Sequence, residues 1–98
     1  MGNLTLVKVG TGMYEVTGFD ARPLSPYDNY REYPILYNPS LYVKDDALCV
    51  QYPPCEVTEF RIGDRVRMTQ LVKLAIDIKT CTGVKLINRK AELSWHGS

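Results

Sequence analysis

Residues 65–79 alternate more strictly than any other part of the chain. The even positions read Val66, Met68, Gln70, Val72, Leu74, Ile76, Ile78, apolar but for one amide; the odd positions read Arg65, Arg67, Thr69, Leu71, Lys73, Ala75, Asp77, Lys79, mostly charged or polar. Period two marks a half-buried strand, and the β-branched side chains in the run favour one. A helix competes, because Met68, Leu71, Val72, Ala75 and Lys79 fall at i, i+3, i+4, i+7 and i+11. It would scatter Val66, Leu74, Ile76 and Ile78 around its cylinder, so the pattern predicts strand. At ~3.3 Å per residue such a strand reaches roughly 50 Å and must bend or divide. Gln70 is then either a buried amide or a bend position reaching water or backbone.

Shorter β-type runs fill the rest. Leu4–Val9 and Met13–Phe19 flank Gly10-Thr11-Gly12, and Leu41–Val43 and Leu48–Tyr52 flank Lys44-Asp45-Asp46-Ala47. Val57–Ile62 alternates and ends at Gly63-Asp64; Val84–Ile87 and Lys90–Trp95 flank Asn88-Arg89. Gly, Asn and Asp at such points close hairpins. Phe60-Arg61-Ile62-Gly63-Asp64-Arg65-Val66 resembles the turn that opens a strand in many SH3-like small barrels, over seven residues none of which carries a function with it. The expectation is a mostly β chain. It is a small barrel or sandwich of seven to nine short antiparallel strands, residues 1–98 forming one domain.

One segment breaks the pattern. Residues 22–42 hold four of the six prolines and five of the seven tyrosines. Ser25, Pro26 and Asp28 read as N-cap, first helical residue and first-turn acid, and Pro34 stops the helix, giving one short helix near residues 26–32. Tyr buries a large ring for two torsions and tolerates water at its hydroxyl, and proline lowers the entropy lost when a loop orders. Tyr27, Tyr30, Arg31, Tyr33 and Tyr37 are therefore the candidate partner-binding set. The plainer alternative makes these rings a cap on the end of the barrel.

Composition narrows the function classes. In 98 residues, 45% are apolar and 23% charged, which excludes a disordered or low-complexity chain, and no apolar run approaches a membrane span. Met1–Thr5 lacks the basic and apolar regions of a signal peptide, and three cysteines (Cys49, Cys55, Cys81) are an odd set, so reduced thiols and a cytoplasmic location are expected. A Cys49–Cys55 bridge stays open. No CxxC occurs and the one histidine is His96, so neither metal nor cofactor is expected. Asp45-Asp46 reads as a turn. With no nucleophile elbow, phosphate loop or positioned base, the expectation is a protein that is not an enzyme.

Charge divides along the chain: residues 1–60 carry four Lys/Arg against eight Asp/Glu, and residues 61–98 carry eight against three. The leading expectation is a non-enzymatic interaction module docking on a macromolecular partner, a protein in the first place, through residues 22–42. Economy of size suggests a viral or mobile-element accessory protein. The alternative is nucleic-acid binding by Arg65, Arg67, Lys73 and Lys79 on one strand face. A homo-oligomer pairing acidic and basic halves, or open sheet edges, is the third.

Overall fold

A computed structural model describes residues 2–21, 39–52, 56–78, 81 and 83–96. The short helix expected at residues 26–32 lies outside them. Eight strands and one helix are described: β1 Gly2–Gly10, β2 Met13–Asp20, β3 Ser40–Lys44, β4 Ala47–Tyr52, β5 Glu56–Phe60, β6 Arg65–Arg67, α1 Met68–Asp77, β7 Lys85–Ile87 and β8 Lys90–Trp95. All pairings are antiparallel. One sheet has the order β6-β2-β1-β8-β7 and the other β3-β4-β5; neither closes into a barrel.

The hairpins form where local turn chemistry directs them. In the β1–β2 turn Gly12 takes φ +66°. In the β3–β4 turn Asp45 and Asp46 have φ of 53° and 59°, the left-handed pair of a type I′ connection, so these carboxylates serve the turn. Asn88, at φ 55°, turns β7 into β8. Thr17 is an extra residue between the pairs Thr5↔Gly18 and Leu6↔Val16, a β-bulge. Its hydroxyl donates to the Thr5 carbonyl at 3.2 Å, and the Thr5 hydroxyl donates to the Gly18 carbonyl at 3.1 Å.

Residues 65–79 are not one strand. Only Arg65-Val66-Arg67 pairs, against Met13–Glu15 of β2, and from Met68 to Asp77 the chain is helical. The cause is the loss of a partner. Arg67 lies opposite Met13, the first residue of β2, and beyond it there is only the hairpin turn. A strand that runs off its sheet leaves its backbone groups unpaired, whereas a helix satisfies them internally. The first helical amide, that of Met68, donates to the Gly12 carbonyl of that turn at 2.9 Å. Gln70 completes the start: its Oε1 accepts the Arg67 N–H at 2.8 Å, so this amide is an exposed helix cap rather than a buried group.

One core joins all these parts. Leu4 and Leu6 of β1, Tyr14 and Val16 of β2, Leu93 and Trp95 of β8 meet Leu41, Leu48, Val50 and Phe60 of the three-stranded sheet, and α1 adds Leu71, Leu74 and Ala75. The three-stranded sheet buries its second face too, where Tyr42, Ala47 and Cys49 form a separate cluster.

Candidate functional site

The helical turn of residues 68–77 redistributes the apolar side chains. Leu71 and Ala75, expected outward on a strand, are buried. Val72 and Ile76, expected in the core, are 44% and 74% exposed. Both line a groove of about 520 Å³ between α1 and the approach to β7, with Met68, Cys81, Val84 and Leu86 among its other walls. Leu86, at the edge of the five-stranded sheet, is 55% exposed.

A polar clamp ties the helix to the three-stranded sheet. Tyr52, at the end of β4, donates its hydroxyl to Asp77 Oδ2 at 2.9 Å, and Lys73 Nζ reaches the same oxygen at 2.8 Å. Lys73 Nζ also stands 5.1 Å from the centre of the Tyr52 ring, a cation–π distance. The Lys73 hydrogen bond, with a further contribution from Tyr52, holds the Asp77 carboxyl below its ordinary range against the opposing effect of burial. Burial first, then the bond to Asp77, keeps the Tyr52 phenol protonated well above its ordinary range.

The remaining candidates fall in different places. Tyr27, Tyr30, Arg31, Tyr33 and Tyr37 lie outside the described residues. The flanks of their segment are fixed: Ala21 packs on the core and Pro39 is buried. Tyr42, the last tyrosine of the segment, is buried, with its hydroxyl donating to Gln51 Oε1 at 3.1 Å.

The basic stripe proposed for nucleic acid does not exist as one strand face. Lys73 is on the helix and bound to Asp77, and Lys79 lies outside the described residues. Arg65 and Arg67 do share the outer face of the five-stranded sheet. By register, Arg65, Glu15, Val7, Lys90 and Ile87 form one row across it, with Lys85 and Glu92 in the next. A hollow of about 700 Å³ lies over Thr5, Val7, Thr17, Lys85, Lys90 and Glu92. Glu92 stands between its two bases, Lys85 and Lys90, and in the adjoining row Arg65 lies 4.0 Å from Glu15.

The thiols do not form a reactive pair. Cys49 and Cys81 are free, and Cys55 lies outside the described residues. Burial, with Glu59 adding to it, raises the Cys49 thiol above its ordinary range, the reverse of an activated nucleophile. Among the described residues no three His, Cys, Asp or Glu side chains gather as a metal site, and no helix is long and apolar enough to cross a membrane.

The groove between α1 and β7 is what sequence reasoning missed. The signal was present in the helical spacing of Met68, Leu71, Val72 and Ala75, one stripe whose Leu71 edge is buried and whose Met68-Val72-Ile76 edge faces the groove. No family model, curated protein or solved structure matches the chain.

Proposed function

We propose that this chain is a non-enzymatic interaction module that docks on another protein, of the kind that viruses and mobile elements carry as small accessory proteins. One observation carries the reading: Val72, Ile76 and Leu86 are 44%, 74% and 55% exposed along a single groove while α1 buries Leu71, Leu74 and Ala75. Water contact with that strip is unfavourable, at roughly 25 cal/mol per Å² of apolar surface, and a partner relieves it. The Tyr/Pro-rich segment 22–42 is the second surface of the proposal. Its support is chemical: Tyr27, Tyr30, Arg31, Tyr33 and Tyr37 are the residue types from which binding hot spots are built.

The test is affinity capture from source lysate, with and without nuclease, using the wild-type chain, Ile76→Asp and the double variant Tyr30→Ala/Tyr33→Ala. The module reading expects a nuclease-resistant partner that each variant loses by about 2 kcal/mol or more in affinity, with melting temperatures close to wild type. Capture that nuclease abolishes, with affinity falling steeply between 50 and 200 mM salt, would transfer the function to nucleic acid and to Arg65, Arg67, Lys85 and Lys90. A variant that melts early yet binds normally returns its side chains to the core.

A further inference from the structure

The free edge of β7 adds a partner geometry to the groove; this inference rests on the groove being a docking surface. β7 is the last strand of its sheet, and among the described residues nothing pairs with its outer side. Which of its backbone groups are free follows from register. Asn88-Arg89 is a two-residue turn, so the adjoining pair Ile87↔Lys90 and the pair two residues on, Lys85↔Glu92, turn their N–H and C=O groups toward each other. The other side of β8 agrees: the Lys8 N–H donates to the Arg89 carbonyl at 2.6 Å, and Leu6 pairs with Ala91 in the same phase. The N–H and C=O of Leu86 therefore face away from the sheet, and its side chain lines the groove.

A strand laid along this edge accepts one hydrogen bond from the Leu86 N–H and donates one to its C=O. Its side chains then alternate. One set turns to the groove side, toward Leu86, Val72 and Ile76. The other set turns to the outer face, where Lys85 and Ile87 of β7 and Lys90 and Glu92 of β8 are exposed, with Arg89 in the turn; the three bases outnumber the one acid and, among the described residues, form no ion pair. We infer that the occupant is an extended segment of a partner protein in which apolar residues alternate with Asp or Glu, added to β7 as a further strand. A second copy of this chain fits poorly. Paired about Leu86, two β7 strands would set Lys85 of each copy opposite Ile87 of the other, so neither copy supplies an acid to the edge, and both add bases to a face that holds Glu92 alone against them. A helical segment would use the groove but leave the Leu86 backbone groups unmet.

The experiment selects phage-displayed random peptides of roughly twelve residues, ample for a strand, on the full chain, with Ile76→Asp as counter-selection. Leu86→Asp replaces it if circular dichroism shows Ile76→Asp misfolded. The expected winners alternate apolar and acidic residues and bind the variant at least about tenfold more weakly, a difference of ~1.4 kcal/mol. They lose as much when the backbone nitrogen facing the Leu86 carbonyl is methylated, and they shift the Leu86 amide resonance. Winners with apolar residues at helical spacing, or binding indifferent to N-methylation, would overturn strand addition while leaving the docking groove intact. No enrichment over the counter-selection would remove the groove reading itself. A doubled mass by light scattering, undone by Leu86→Asp, would give the edge to a second copy instead.

Discussion

Gly2 shows how much a single position is constrained. It lies opposite Trp95, and a Cβ built there would come within 2.6 Å of the indole ring and 2.7 Å of the Asp20 carbonyl. The indole is fully packed in the core and the carbonyl belongs to the neighbouring strand, so neither can move aside without disturbing β1. Gly2→Ala should cost about 1–3 kcal/mol, measured by urea unfolding. The Tyr52–Asp77–Lys73 clamp responds to acid. A carboxyl whose folded-state pKa is lowered contributes stability that is complete above its unfolded value, near ~3.9, and is lost as pH falls through the folded value. Melting temperature should therefore decline from pH 5 to pH 2 more for wild type than for Asp77→Asn. The difference is about 0.5–1 kcal/mol, because Lys73 is largely in solvent. Tyr52 acts in the opposite sense: its raised pKa contributes stability present below about pH 10 and lost only as pH rises further. An acid-limb difference absent from Asp77→Asn comparisons would show that the clamp is not formed in solution.

At the scale of elements, what could be read from the sequence depended on how local the cause was. The hairpins at Thr11-Gly12, Asp45-Asp46 and Asn88-Arg89 were legible because a left-handed backbone needs Gly, Asn or Asp at that very residue. The same logic yields a prediction: Asp46→Gly, at φ 59°, should raise stability by about 0.5–1 kcal/mol, seen as a higher urea midpoint at unchanged m-value. The helix was not legible, since its cause is not local. Arg65-Val66-Arg67 pairs as alternation demands, but Arg67 already faces Met13, where β2 begins, and nothing near Met68 in sequence announces that the partner strand has run out. Once the chain coils, Leu71 moves in and Ile76 moves out. The groove was illegible for that reason: alternation assigns its two most exposed helical residues, Val72 and Ile76, to the core. The tyrosine segment, by contrast, was conspicuous in sequence, and its five candidate side chains lie outside the described residues.

Over the whole molecule, two antiparallel sheets share one core that α1 completes, and the apolar surplus of α1 and β7 faces outward. Everything said of docking depends on the rotational phase of that helix. The most direct measurement is the unfolding free energy of two carboxylate variants, Leu71→Asp and Ile76→Asp. If the helix is as described, Leu71→Asp buries a charge at a fully enclosed position and costs more than about 4 kcal/mol or prevents folding, while Ile76→Asp stays within about 1 kcal/mol of wild type. The reverse outcome, with Ile76→Asp unfolding the chain and Leu71→Asp tolerated, would mean residues 65–79 form a strand and would contradict the account.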